Sequence, residues 1–317
     1  MKKLKVAFLI NPISGGRQGL KIHTQLLRTL KNFSLSPEQF HLEFTKKSET
    51  VSQAKQIASE TEILIAVGGD GTALETITGA YRSKTPPCIG IIPLGTGNDL
   101  ARALHVYELF KKEGLEGCLR KFFKGPAVPF DIWQVNNKEL MINYLSIGLD
   151  AAIVDSFQKQ RTKIPFNSAL LNRLTYAFLG LFLISRGLQG NVFLRYWLGS
   201  EVKELSLKGH CFVTASNLPF YGGGTLLAPG AGLADGILEI TPFLRLSKAL
   251  GLFAFQKILC LRTWYGNKLT HFKANRVEIE MPDGNYLQID GEDKTYLLAE
   301  KKIEIKYSGQ AYLFQGD

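Results

Sequence analysis

Cysteine, histidine and methionine are scarce in this chain, with four, five and three among 317 residues. Cys88, Cys118, Cys211 and Cys260 are widely spaced and form no CxxC pair. That excludes a zinc ribbon or a disulfide framework and suits a reducing compartment. His23, His41, His105, His210 and His271 have no ligand spacing, so no chemistry is assigned to them. No apolar run reaches the ~18 residues of a membrane-spanning helix. The nearest approach, Leu174 to Ile184, is bounded by Arg173 and Arg186. The first apolar run, Val6 to Ile10, stops at Asn11-Pro12 and is too short for a signal-peptide core. It reads as a buried strand. Negative charge is in deficit, leaving a formal net charge of +10. An anionic partner is therefore expected: nucleotide, nucleic acid or an acidic membrane face. No RNA- or DNA-binding motif is present, so nucleic acid is not the expected partner. There is no internal repeat and no low-complexity segment.

Hydrophobic residues make up 45% and charged residues 21%, the balance of a globular protein with a sizeable core. The length favours two domains. Residues 1–127 alternate in the α/β manner. Strands are expected at Val6–Ile10, Phe40–Thr45, Ile63–Val67 and Ile89–Ile92. Helices are expected at Leu20–Leu30, Val51–Ser59, Thr72–Tyr81 and Asp99–Leu104. From 128 to 307 short alternating strands dominate, at Phe130–Val135, Leu140–Leu145, Val192–Trp197, His210–Ala215, Ile237–Pro242, Arg276–Met281, Tyr286–Ile289 and Ile303–Tyr307. This is the pattern of an antiparallel β domain, interrupted by helical-looking apolar stretches around 167–187 and 246–263.

Three Gly-rich loops follow strands in the first half: Asn11-Pro12-Ile13-Ser14-Gly15-Gly16, Gly68-Gly69-Asp70-Gly71-Thr72 and Pro93-Leu94-Gly95-Thr96-Gly97-Asn98-Asp99. Glycine lets the backbone approach a phosphate, and the N–H groups at the next helix's start complete an anion site. The hydroxyls of Ser14, Thr72 and Thr96 add donors. One such loop is as well explained by a tight turn with a helix cap. Three at strand ends of one sheet would converge on one crevice. Neither GxxxxGK[ST] nor GxGxxG occurs, which excludes a Walker loop and the standard dinucleotide fingerprint. Asp70 either caps its helix or orients a Mg²⁺–nucleotide or a ribose.

Those loops resemble the signatures of the diacylglycerol kinase catalytic-domain family, which includes sphingosine and ceramide kinases and bacterial lipid kinases. Gly68 to Thr72 and Pro93 to Arg102 are similar to its two strongest motifs. Asn11, Ser14 and Gly15 match its first nucleotide loop, Thr45 a threonine ending the second strand, and Glu75 the acid after GGDGT. Later segments also match: Asn143…Gly148-Leu149-Asp150-Ala151, Tyr221-Gly222-Gly223-Gly224…Pro229…Asp235-Gly236, and Asp290-Gly291-Glu292. Leu149 stands where the family commonly has Phe, and Thr76 and Thr78 where Val and Asn are commoner.

The resemblance implies a fold and a function. The first domain would be like NAD kinase and phosphofructokinase, an α/β unit on a parallel sheet. The second would be an antiparallel β-sandwich carrying the acceptor site, with residues 308–317 returning to the first domain and ATP in the cleft. The function implied is an ATP-dependent lipid kinase with diacylglycerol the favoured acceptor. A sphingoid base, ceramide or phosphatidylglycerol stays open. Gly69, Asp70, Gly71, Thr72, Gly95, Thr96, Gly97, Asn98 and Asp99 would hold Mg²⁺ and ATP, with Asn98 equally able to cap the next helix. Asp290, at a strand end before Gly291, would accept the hydroxyl proton, and Glu292 would assist it or Mg²⁺. The alternative for Asp290 is a plain Asp-Gly hairpin turn. Asp150 would join a water-linked network. Asp235, with carbonyls of Gly232 and Ile237, would hold a structural Mg²⁺, or else form a turn.

Two stretches contain no acid. Lys159, Arg161, Lys163, Arg173, Arg186 and Arg195 lie in the first; Arg245, Lys248, Lys257, Arg262, Lys268, Lys273 and Arg276 lie in the second. Both hold aromatic, helical-looking segments. Cations beside apolar side chains suit an anionic membrane surface, and a core helix with solvated cations is the alternative. A cytoplasmic chain with peripheral membrane contact follows as an expectation, and a homodimer is left open. Two rival functions fit the sequence less well. A NAD kinase-like enzyme does not account for the Pro93–Asp99 loop or the Tyr221–Gly224 segment. A nonenzymatic nucleotide-binding protein would not need Asp290.

Overall fold

The structure, a computed structural model, describes residues 4–161, 187–244 and 269–316. Met1–Phe130, Gly222–Gly224 and Gln310–Asp317 form one compact unit; Asp131–Tyr221 and Thr225–Gly309 form the other. The apolar stretches expected at 167–187 and 246–263, with most of their cations, lie outside the described residues but for Gly187.

The first unit runs β1 (Leu4–Ile10), α1 (Ser14–Asn32), β2 (Phe40–Phe44), α2 (Thr50–Ala58), β3 (Thr61–Gly68), α3 (Asp70–Tyr81), β4 (Cys88–Pro93), α4 (Asp99–Ala103) and α5 (Val106–Lys124). The strands are parallel in the order β2-β1-β3-β4. Val6 pairs with Phe40 on one side and Ile63 on the other, and Ile63 with Cys88. Val6 to Ile10 and Leu64 to Val67 are wholly buried. Parallel strands covered on both faces need such continuous apolar runs, which is why the strands were visible in the sequence. Helix α5 lays Phe122 over Gly90, where a methyl group would come within 2.9 Å of the ring. Phe122 also meets Phe314, ring centroids 5.3 Å apart. Near that aromatic pair, Leu313 pairs in parallel with Ile89.

The second unit holds β6 (Glu139–Met141), β7 (Tyr144–Gly148), α6 (Leu149–Arg161), β8 (Phe193–Leu198), β9 (Glu201–Ser206), β10 (Phe212–Ser216), β11 (Phe220–Tyr221), β12 (Thr225–Leu226), β13 (Leu238–Phe243), β14 (Phe272–Ala274), β15 (Arg276–Glu280), β16 (Leu287–Ile289) and β17 (Glu292–Asp293). Strands β5 (Ala127–Val135) and β18 (Lys302–Phe314) each begin in one unit and end in the other. One antiparallel sheet has the order β14-β13-β10-β7-β16-β17. A second antiparallel ladder joins β9, β8, β15 and the first half of β18. Their facing side chains form one core, including Leu145, Ile147, Val213, Ile240, Ile279 and Ile305. The strand expected over 140–145 is two strands: β6 ends at Met141 and β7 begins at Tyr144.

Candidate active site

Strands β1, β3 and β4 are neighbours, so the loops that leave their C-terminal ends lie side by side. Hydrogen bonds lace them together. The Asn11 N–H donates to the Val67 carbonyl at 2.9 Å, and Asn11 Nδ2 to Thr72 Oγ1 at 3.0 Å. The Leu94 N–H donates to the Gly68 carbonyl at 2.7 Å. The second and third loops touch backbone to backbone. A methyl group on Gly95 would stand 2.5 Å from Gly69 Cα, so no residue but glycine fits there. In the first loop Gly15, Gly16 and the non-glycine Arg17 are all left-handed, with φ of 59°, 67° and 72°. The Arg17 N–H donates back to the Ile13 carbonyl at 3.3 Å, so of the three only Gly15 and Gly16 could offer N–H groups to an anion.

Asn98 organises the third loop from a left-handed position, φ 55°. Its side chain accepts from the Gly95 N–H at 3.1 Å and donates to the Gly95 carbonyl at 2.6 Å. The Asn98 main-chain N–H donates to Asp70 Oδ2 at 2.6 Å. Asp70 thus sits at the start of α4 as well as of α3. Asp99 is 3% exposed and accepts from Gly223 at 3.0 Å and from Gly224 at 2.6 Å. This grip draws Gly222–Gly224 into the first unit. Burial and the nearby charge of Asp99 push the Asp70 carboxyl up to about 6, against the N–H groups that stabilise its anion. Two such carboxylates repel each other, and a divalent cation with phosphate oxygens would relieve the strain.

Of the remaining expected residues in this unit, Ser14 is half-buried and donates its N–H to the Asn11 carbonyl at 3.3 Å. Thr45 closes β2 by donating to the Ile10 carbonyl at 2.8 Å. Glu75 is half-buried on α3, while Gly71 and Thr96 are exposed. Gly97 packs so closely on Asp70 that a methyl group would be 2.6 Å from Oδ2.

In the second unit Asp290 sits at φ 54° and Gly291 at φ 85°, the two left-handed positions of a tight turn between β16 and β17. The turn is only half of its role. Asp290 Oδ1 accepts from the N–H of Asn143 at 2.7 Å and of Tyr144 at 3.0 Å, and Oδ2 from Ile142 at 2.9 Å. The gap between β6 and β7 exists to aim these three consecutive N–H groups at one carboxylate. Burial pushes Asp290 up to about 6, with the three donors opposing and the Glu292 charge adding. A carboxylate that is ionised at pH 7 yet this basic is suited to taking a proton. Glu292 is exposed and pairs with Lys294 at 3.3 Å.

Asp150, in the first turn of α6, accepts at Oδ2 from Ser146, Tyr221 and, at 3.5 Å, Gln288. Burial raises its carboxyl, and burial with the Asp150 charge raises the Tyr221 phenol. Gln288 is wholly buried and bonded at both ends. Its Nε2 donates to Ser146 Oγ at 2.9 Å, and its Oε1 accepts from the Gly291 N–H at 2.7 Å. The network is thus tied to the Asp290 turn through side chains.

Gly232, Asp235 and Ile237 are brought together. Asp235 Oδ1 accepts from the Ile237 N–H at 3.0 Å, and a methyl group on Gly232 would lie 2.4 Å from Oδ2. The Gly236 N–H donates to Asp131 Oδ2 at 2.6 Å, which fixes the same loop to β5. Among the described residues no group of three or more His, Cys, Asp or Glu is arranged to hold a metal. Any cation here would need carbonyl, water or phosphate oxygens.

The comparisons with known proteins decide the family. The model described as Diacylglycerol kinase catalytic domain matches residues 5–135, and that described as Diacylglycerol kinase accessory domain matches residues 140–293. The chain belongs to the diacylglycerol kinase catalytic-domain family. It is 29% identical over 299 residues to a diacylglycerol kinase of Bacillus subtilis (strain 168), covering 92% of this chain and 90% of that one. It is 28% identical over 368 residues to diacylglycerol kinase zeta of Homo sapiens, covering 99% of this chain and 36% of that one. The chain therefore spans about a third of that relative's length. A crystal structure of a diacylglycerol kinase from Bacillus anthracis str. Sterne shares the fold, with TM-score 0.66, 22% identity, and coverage of 100% and 98%.

Within this family frame the sequence left several residues unassigned. Arg17 was signalled only by following Ser14-Gly15-Gly16. Arg102 donates from Nε to the Gly97 carbonyl at 3.1 Å and lies 3.8 Å over the Tyr107 ring, holding the third loop from behind. Ser146 and Gln288 carry no sequence signal, because a polar residue on a strand's outer face ordinarily meets water, and Tyr221 was marked only as the start of the Tyr221–Gly224 motif, with no role given.

Proposed function

We propose that the chain is an ATP-dependent lipid kinase that transfers the γ-phosphate of ATP to the hydroxyl of diacylglycerol, giving phosphatidic acid. The observation that carries this is Asp290, a basic carboxylate held by three N–H groups at a strand end. N–H groups of the three glycine loops that are not already spent inside them, such as those of Gly15, Gly16, Gly71, Thr96 and Gly97, bind the ATP phosphates. Mg²⁺, which Asp70 and Asp99 fit, would neutralise charge on the phosphate oxygens. Asp290 takes the acceptor's hydroxyl proton as the new O–P bond forms and the bond to the β-phosphate breaks. Oδ1 already accepts two hydrogen bonds and Oδ2 one, so Oδ2 keeps a lone pair for the proton.

Asp235, with carbonyls of Gly232 and Ile237, is proposed as a second, structural cation site. Among the described residues no helix is long and apolar enough to cross a membrane. Contact with the acceptor's bilayer is proposed through the acid-free basic stretches, of which Lys159, Arg195, Lys273 and Arg276 are exposed among the described residues. Liposome co-sedimentation with Lys248→Glu and Lys257→Glu tests this, and unchanged binding to acidic vesicles overturns it. The activity itself is tested by transfer of labelled phosphate from ATP to a lipid panel. Labelling of diacylglycerol above sphingosine, ceramide and phosphatidylglycerol supports the assignment. Labelling of another lipid in its place changes the acceptor, and labelling of none overturns the kinase reading.

A further inference from the structure

The six-stranded sheet has an inner face on the core and an outer face that is almost as dry. Side chains alternate along each strand. Leu145, Ile147, Val213, Ala215, Leu287 and Ile289 go inward. Phe212, Tyr221 and Phe243 instead join Leu149, Leu227 and Leu269 in a separate apolar cluster, against which Tyr144 packs. Tyr144 and Tyr221 meet at the edge of this cluster, with ring centroids 4.2 Å apart and the rings tilted by 36°. The Tyr144 N–H is one of the three that hold Asp290, so the ring pair adjoins the base.

Two buried hydroxyls bracket that ring pair without a partner. Ser216 lies directly opposite Tyr144 in the β7–β10 ladder, and Thr225 directly opposite Tyr221 in the β11–β12 ribbon. Each is 1% exposed. Among the described residues neither Ser216 Oγ nor Thr225 Oγ1 has a hydrogen-bond partner. An unmet buried hydroxyl is unfavourable, and one is easily a misfit. Two on either side of one aromatic pair, beside a candidate base and against an apolar cluster, have a common explanation in a ligand.

We infer that Ser216 and Thr225 receive the polar head of the acceptor lipid, with the tilted Tyr144–Tyr221 pair and the apolar cluster beyond it taking the first part of its acyl chains. The head group of diacylglycerol has one hydroxyl, which gives its proton to Asp290. Its ester carbonyls only accept hydrogen bonds, so the protein must supply donors, and two free hydroxyls do so. Tyr144 and Asp290 are half-exposed, so the reacting hydroxyl is reached from the solvent side while the esters lie deeper. This assignment rests on the proposed lipid kinase activity and adds the residues that select the acceptor.

The test uses the full chain with Ser216→Ala, Thr225→Val and the double variant, and dioctanoylglycerol as the probe. Each lost hydrogen bond is expected to raise KM for dioctanoylglycerol roughly fivefold, with kcat and KM for ATP within about twofold of wild type. Without ligand the variants should melt no lower than wild type, because the hydroxyls have no partner to lose. Dioctanoylglycerol should raise the melting temperature of wild type without ATP, and the double variant should lose most of that rise. Ser216→Thr and Thr225→Ser, which keep the hydroxyls, should restore KM. An unchanged KM and an unchanged lipid-induced shift in the double variant overturn the inference. So does a variant that weakens ATP and lipid alike, or one that melts lower and loses all activity. If wild type neither binds nor phosphorylates any diacylglycerol, the proposed activity falls first and this assignment with it.

Discussion

The N–H of Gly224 points at Oδ1 of Asp99 from 2.6 Å, and the N–H of Gly223 reaches both oxygens of the same carboxylate at 3.0 Å. The two glycines are more than a hundred residues downstream of Asp99. One carboxylate thus fixes Gly223 and Gly224 to the end of the third glycine loop. Asp99→Ala releases both glycines and removes half of the carboxylate pair. We expect kcat/KM for ATP to fall at least roughly 100-fold, as misplacement of phosphate-binding groups commonly costs. Steady-state kinetics over an ATP titration check it.

Asp70 gives a prediction about stability against pH. An ordinary aspartate in the unfolded chain holds its proton up to about pH 4, whereas in the folded chain burial and Asp99 carry this to about 6. Between those values the folded state binds more protons, so the group's contribution to stability falls as pH rises. Asp70→Asn, an amide that does not titrate, should therefore melt progressively higher relative to wild type from pH 4.5 to 7.5 in the absence of ligand. Melting curves across that range check the sign. A constant or reversed difference removes the carboxylate repulsion on which the Mg²⁺ assignment leans.

Gly95→Ala tests the close approach of the second and third loops. The added methyl group would meet Gly69 Cα at 2.5 Å and Asn98 Oδ1 at 2.8 Å, and backbone cannot rotate away as a side chain can. Calorimetric titration with ATP should show a loss of affinity of at least about tenfold, with the apo protein still folded by circular dichroism.

Gln288→Leu keeps the volume but cuts the link between Ser146 and the Gly291 N–H. The Asp290 turn should loosen and admit water, and less burial lowers a carboxyl. We expect kcat to fall by roughly tenfold and the acid limb of the pH–rate profile to move to lower pH. The KM for ATP should be unchanged. A pure loss of stability with an unmoved acid limb would mean that Gln288 is structural only.

Much of this was legible because parallel strands and glycine loops write themselves into sequence. Val6–Ile10 and Ile63–Val67 are unbroken apolar runs, each followed by a glycine motif, and their order in the chain fixed three loops on one sheet edge. Helix α5 was missed because Gly114, at φ 66°, breaks its period and acids and bases alternate through its middle. Strand β9 was missed because nearly every side chain in Glu201–Ser206 is exposed, so no alternation marks it. The break at Ile142-Asn143 was read as continuous strand. Its cause is a carboxylate almost 150 residues away, and no local pattern records a hydrogen bond of that reach. Asp290 itself carried two meanings in the sequence, turn and base. The structure shows the turn and adds the three donors that make the second meaning chemically reasonable.

The most direct measurement is transfer of the γ-phosphate of labelled ATP to diacylglycerol by wild type and Asp290→Ala in parallel, with ATP affinity measured on both. Wild type should yield phosphatidic acid, and kcat should fall roughly 1,000-fold in the variant. ATP should bind both equally. In wild type, kcat/KM should rise with pH and level off above about 6, where Asp290 has lost its proton. A variant that keeps wild-type turnover, or a wild type that labels no lipid, would contradict a lipid kinase with Asp290 as its base.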